Sequence, residues 1–281
     1  MPSGKRLSGK SALDRSRSDG FHMQKRFIWL SMAAGLLMAL TSLLGLADPN
    51  TYERETPNWA AQAVGQDFIN LAVAFPVLLI SSILVLRRDS FRAFLVWAGV
   101  LIYVVYSFIL YSFFVHFGPL FLLYTATLGL SFYSFLGGIV TLDWQAAKRS
   151  LAAVRTGPAS ILLATVAVLF SLLWLVDIIG ALKRGGIPQD LEKVGLWVNP
   201  IHVLDLSLLL PGAFIVAVLL LRKSTLGLVL AVPYLVFFAL MGIAIISMAI
   251  NTQTAGPQMA VMSAIVIASA LISAGYLKRI S

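Results

Sequence analysis

Eight predominantly apolar runs divide the chain, at about 27–47, 66–86, 94–114, 120–142, 159–182, 199–223, 226–250 and 259–277. An α-helix rises about 1.5 Å per residue and the hydrocarbon core of a bilayer is roughly 30 Å thick, so runs of this length can cross it as single helices. The pattern predicts an all-α fold: an integral membrane bundle of eight transmembrane helices. The first run is too long for the apolar core of a cleaved signal and no small-x-small site closes it, so it reads as a retained helix. The second run has two possible starts. It begins near Gln66, or Asn58 caps a longer helix that runs through Trp59, Ala60 and Ala61.

Composition supports the same class. The chain is 59% hydrophobic and only 12% charged, against about 25% charged residues in soluble domains. The missing charge is missing water-facing surface. The net charge is +9, and its placement carries the information. Every Lys and Arg falls in the N-terminal tail, the even-numbered connections or the C-terminal end, except Arg54, Lys183, Arg184 and Lys193. Basic residues collect on the cytoplasmic side of membranes, so both termini are expected to be cytoplasmic. Residues 1–26, rich in Ser, Gly and basic side chains, read as a disordered tail that touches anionic lipids. Nucleic acid is not an expected partner. The absence of Cys excludes disulfides, thiolate metal sites and Cys nucleophiles within this sequence.

At an offset of 135 residues the two halves align. Asp67 falls on His202, Asn70 on Asp205, Pro76 on Pro211, Arg87 on Arg222 and Arg88 on Lys223. Apolar residues match apolar residues cheaply, but a shared proline and a shared basic pair at one offset are harder to obtain by chance. The expected organisation is a first four-helix repeat over 27–157 and a second over 158–281. Both would begin on the same side, as parallel repeats about an axis along the membrane normal.

Chemistry concentrates in runs two and six. Asn199 can cap run six and Pro200 suits its first helical position. Asp205 then lies past the first turn, too deep to be a cap. A carboxylate at such depth costs about 2.5–3.5 kcal/mol on insertion scales, so it should face the bundle interior with a partner or water. His202, three residues earlier, shares its face. Asp67 and Asn70 form the corresponding pair, with Asp177 and His116 at the outer ends of runs five and three. These six residues are the candidate ligand-binding set, provided that topology brings them together. Pro76 and Pro211 each remove a backbone hydrogen bond mid-span and are candidate hinges. Run three carries Trp97, Tyr103, Tyr106 and Tyr111, read as packing residues or as an aromatic wall. No HExxH or comparable spacing appears, so no metal site and no cofactor is assigned.

The segment GQDFINLAVAFPVLLISSILVLRRDSFRAFLVWAGVLIYVVYSFILYSFF, with FLLYTATLGLSFY and HVLDLSLLLP after it, resembles a group of small bacterial multi-pass integral membrane proteins. The likeness rests on Asp67, Pro76, Tyr103, Tyr106, Asp205 and Pro211. The group has no established activity to carry over, so the resemblance implies only residence in a bacterial plasma (inner) membrane. Three readings of function stay open. The first is binding, sensing or transport of a small solute or lipid through an outward-facing polar pocket. The second is a membrane enzyme using His202 and Asp205 as an acid/base pair, with or without a metal. The third is a structural or partner-binding subunit whose polar residues only join helices.

Overall fold

The computed structural model describes residues 23–254 and 256–280, with the side chains of 189 and 190 left aside. The basic tail read over 1–26 therefore lies outside the described residues as far as position 22. The described residues are helical and contain no strand. Eight helices are long and apolar enough to cross a membrane: α1 (Arg26–Ala47), α2 (Pro57–Arg88), α3 (Phe91–Phe114), α4 (Phe121–Val140), α5 (Gly157–Lys183), α6 (Pro200–Leu221), α7 (Thr225–Asn251) and α8 (Pro257–Leu277).

Local chemistry sets several of their starts. The Thr56 hydroxyl accepts from the Trp59 amide at 3.3 Å, with Pro57 in the first turn. Ser90 does the same for Ala93 at 3.3 Å. Asn199 Oδ1 accepts from the amides of Ile201 and His202 at 3.0 and 3.3 Å. These bonds satisfy amides that have no partner inside the helix. The start of α2 at Pro57 is the longer of the two expected helices, with Thr56 rather than Asn58 as its cap. Asp67 consequently sits well inside the span.

Spans α2 and α6 share one irregularity. In each, a five-residue π turn interrupts the α-helix, at Asn70–Ala74 and at Asp205–Leu209. The Phe75 amide returns to the Asn70 carbonyl, and the Leu210 amide to that of Asp205. Pro76 and Pro211 follow in the next turn, and both helices continue through them. Each inserted residue shifts the register of the side chains that follow.

Helices α3 and α7 occupy the centre and pack against one another. Trp97, Tyr103, Phe94 and Phe108 of α3 and Phe237 of α7 are fully buried. Small residues permit the close approaches, as expected where helices associate in lipid by packing rather than by exclusion of water. At Gly99 an added Cβ would meet the Pro233 carbonyl at 2.7 Å. At Gly65 on α2 it would meet the Met248 backbone of α7 at 2.8 Å, and the Ser247 hydroxyl donates to the Gly65 carbonyl at 2.8 Å.

The bundle has two faces. One carries the connections around Tyr52, His116, Lys193 and Thr254 and is called here the loop face. The other carries Lys25, Arg87, Arg88, Arg222 and Lys278 and is called the basic face. Lys25 Nζ ties α1 to α2 there, through Asp89 at 2.9 Å and the Leu86 carbonyl at 3.1 Å.

Candidate functional site

Two polar clusters lie at the level of the π turns. The first is closed. Asp67, 1% exposed, accepts from the Tyr52 hydroxyl on Oδ2 at 2.5 Å and from Tyr111 on Oδ1 at 2.8 Å. Tyr52 belongs to the short 3-10 helix Pro49–Tyr52 above α2. Burial, and then the neighbouring Asp67 carboxylate, push its phenol well above the ordinary range, so it remains a donor. Asn70 Oδ1 accepts from Tyr103 at 2.9 Å, and its Nδ2 donates to Ser42 of α1 at 3.2 Å. The Gln66 amide nitrogen lies 2.5 Å from the Tyr103 hydroxyl and 3.0 Å from Ser107. Every one of these partners comes from the first half of the chain. Gly45 of α1 lies so close that an added Cβ would strike the Asp67 carboxylate and the Tyr52 hydroxyl.

The second cluster is built around Asp205, 7% exposed. Its Oδ1 accepts from the Tyr106 hydroxyl of α3 at 2.9 Å, and its Oδ2 from the Trp174 indole of α5 at 2.9 Å. These two bonds fix the carboxylate plane, and the one from Tyr106 reaches across from the first half of the chain to the second. The His202 ring packs on Trp174 with centroids 4.6 Å apart, and its Nε2 lies 4.0 Å from Asp177 Oδ2. Tyr106 meets Phe237 edge-on at 5.5 Å. Among the described residues no Lys or Arg forms an ion pair with either Asp67 or Asp205.

Asp205, unlike Asp67, borders a cavity. A space of about 870 Å³ lies between the two halves, beneath the loop face. Asn58, Lys193, Asn199, Thr254 and Gln258 form its rim. Gln66, Tyr106, Trp174, Asp205 and Phe237 line its deeper part, and much of the remaining wall is aliphatic. The volume is within the range of small-molecule sites, and a mainly apolar wall with a few convergent polar groups is their usual composition.

The six candidate residues thus fall into three places. Asp177, His202 and Asp205 stand together on the cavity wall. Asp67 and Asn70 belong to the closed cluster and do not line the cavity, although Gln66, Ser107 and Tyr111 beside them do. His116 lies apart near the loop-face surface, where Glu55 accepts from its backbone amide at 2.7 Å and meets its ring at 3.1 Å. Among the described residues no group of three or more His, Asp or Glu side chains stands close enough to hold a metal ion.

Sequence reasoning did not single out Tyr52, Gln66 or Trp174. Trp174 carried one usable signal: it precedes Asp177 by three residues and so shares its helix face. Tyr52 carried none, because it reaches Asp67 from a loop.

Comparison with protein-family models, curated proteins and solved structures finds no match to the chain. The class therefore rests on the architecture itself. Eight apolar helices around buried polar clusters define an all-helical protein of the multi-pass membrane type.

Proposed function

We propose that this chain is a plasma-membrane protein that binds a small solute or lipid in the cavity between its halves, for sensing or transport. The observation that carries the reading is Asp205. Its carboxylate is held by donors from two other helices at the wall of a space large enough for a ligand, rather than being closed within protein like Asp67. Structural polar groups need no adjoining cavity.

The orientation that goes with this reading places the basic face, and both chain ends, in the cytoplasm, with anionic headgroups against the basic side chains. The cavity then opens outward, or to a periplasm in the bacterial membrane that the sequence resemblance implies. Duplication of a four-helix unit is supported by the two π turns, which begin at Asn70 and Asp205, at the same 135-residue offset as the paired prolines. A site between repeats suits a ligand that must meet two different walls.

The test is thermal unfolding of the purified protein in nanodiscs against a panel of solutes and lipids, beside an Asp205→Asn variant. A ligand present at 100 times its Kd should add about 2.7 kcal/mol to stability. The expected result is a compound that raises Tm in the parent and much less in the variant. A panel without a hit, or a hit indifferent to the substitution, counts against the reading.

A further inference from the structure

The two halves differ in how their outer helices meet. In the first, α1 packs along the length of α4. A small residue takes part at Gly137 of α4, where an added Cβ would strike the Phe27 ring of α1; Thr127, Ser131 and Ser134 of α4 are buried as well. The corresponding pair, α5 and α8, meets only slightly, while each packs well against its other neighbour, α6 or α7. At the offset of 135, Ser31 becomes Val166, Ala34 becomes Leu169, Gly35 becomes Phe170, Thr127 becomes Met262 and Ser131 becomes Val266. The matching positions of the second half carry larger side chains on both helices, Ile272 in place of Gly137 among them. Between α5 and α8 runs a seam.

The cavity opens into that seam. Val166, Phe170, Leu173 and Trp174 of α5 line it from one side, and Met262 and Ile265 of α8 from the other. Leu173 is 52% exposed although it lines the cavity. Toward the basic face the seam continues as a shallower, almost wholly apolar depression of about 530 Å³, between Ile161, Leu162 and Thr165 of α5 and Ile272 of α8. One stripe of α5 thus runs from Asp177 near the loop face to Pro158 near the basic face, facing first the cavity and then the groove. In a bilayer this opening, midway along the two spans, would face lipid tails.

The charge at its head is negative and the walls there are aromatic. Asp205 has two neutral donors, Tyr106 and Trp174, and no Lys or Arg in ion pair with it among the described residues. Asp177 stands on the same wall, with the His202 ring beside it. The cationic side chain among the lining residues, Lys193, sits at the rim on the short helix Gln189–Val194. Trp174, Tyr106, Phe170, Phe237 and Phe238 supply ring faces and edges around the acid. A carboxylate flanked by aromatic rings on the wall of a mainly apolar cavity favours an organic ammonium, which gains both the charge interaction and cation–π contact.

We propose that the cavity takes an amphiphilic ammonium compound from the membrane, with its head at Asp205 among Trp174 and Tyr106 and its alkyl tail in the seam between α5 and α8. The proposal rests on the binding function above and specifies the ligand class and the route to the site.

Three probes share a chain length and differ in head charge: dodecyltrimethylammonium, dodecanol and dodecanoate. Each is titrated into nanodiscs that carry the protein, with empty nanodiscs as the partition control, and saturable binding is read by tryptophan fluorescence and by Tm. The cation should bind at least tenfold more tightly than the alcohol, and Asp205→Asn should remove the preference. If that variant fails to fold, Leu173→Trp, placed in the seam, provides the second test. It should weaken dodecyltrimethylammonium at least fivefold while leaving tetramethylammonium, which has no tail, within twofold. Saturable binding that favours dodecanol or dodecanoate would overturn the ammonium assignment and leave the binding function standing. Failure of all three probes to bind overturns the inference outright, and the binding function is then decided by the solute panel. An equal loss of both cations in Leu173→Trp overturns the seam as the place of the tail.

Discussion

Asn70 and Asp205 each open a five-residue π turn, each six residues before a proline, yet their side chains meet opposite surroundings. Asn70 is wholly enclosed, bonded to Ser42 and Tyr103 within its own half. Asp205 is bonded to Tyr106 of the other half as well as to Trp174 of its own, and borders open space. The same interruption of the helix thus serves a closed cluster in one span and a cavity wall in the other. In both, one inserted residue rotates the part of the span that follows, so the polar groups and the proline turn do not follow the register of a straight helix.

The contrast predicts different costs of truncation for the two acids. Asp67→Ala leaves the buried Tyr52 and Tyr111 hydroxyls without their carboxylate, and each orphaned buried donor costs about 1–3 kcal/mol. Tyr111 keeps one alternative, the Ala63 carbonyl at 3.2 Å. A net loss of about 2–4 kcal/mol is expected. Asp205→Ala should lose less than half as much, because water in the cavity can reach Tyr106 and Trp174. Equilibrium unfolding in mixed micelles measures both. Equal losses would mean that the two clusters are equally dry.

Gly45 gives a sharper test of the closed cluster. A methyl group there meets the Asp67 carboxylate and the Tyr52 hydroxyl, neither of which can move without losing its partner. Gly45→Ala should therefore destabilise by about 1–3 kcal/mol, the usual range for overpacking. Gly129 of α4 is the control, since among the described residues nothing beyond its own stretch of helix lies within 4 Å of its added Cβ. There alanine should be neutral or stabilise by about 0.5–1 kcal/mol through helix propensity. Comparing Tm of the two variants separates collision from a general effect of removing glycine in a span.

How far the sequence carried these features depended on their range along the chain. The eight spans were legible because length and hydropathy are local, and the Asn199 cap because it lies next to the amides it serves. The start of α2 was ambiguous for a physical reason. Asn58, Gln62 and Gln66 depress the hydropathy of its first turns, although Gln66 is buried in the closed cluster and all three line the cavity. The prolines were visible, but the π turns ahead of them leave no mark in residue type. Pro233, inside α7, drew no notice, yet its carbonyl is where Gly99 lets α3 approach. The pairing of Asp205 with Trp174 was not legible either, since it depends on how α5 and α6 pack. His202 and Asp177 were foreseen as candidates, but their 4.0 Å approach is a fact of packing.

Orientation yields a prediction independent of the site. The basic residues at Arg87, Arg88, Arg92, Lys148, Arg149, Arg222 and Lys223 lie on one face of the bundle. In a native membrane that face should be cytoplasmic. Single cysteines placed at Ser150 and at Thr254, in a chain that has none of its own, can be labelled with a membrane-impermeant maleimide in intact cells. Thr254→Cys should react from outside and Ser150→Cys only after lysis. The reverse pattern would turn the cavity mouth toward the cytoplasm.

The seam between α5 and α8 predicts which tryptophan lipid can reach. Trp174 lines a cavity that is open between these helices, whereas Trp97 of α3 is fully buried and donates to Ser31 at 2.8 Å in the packed first half. Two variants are compared, one keeping only Trp174 and the other only Trp97, each reconstituted in lipid brominated mid-chain. Bromine quenches indole fluorescence at near contact, so Trp174 should lose at least half of its emission and Trp97 little. Leu173→Trp cannot serve in this experiment because it adds an indole, but Ile265→Phe on the opposite wall narrows the opening and should restore part of the Trp174 signal. Equal quenching of Trp174 and Trp97 would place both behind protein and close the lateral route.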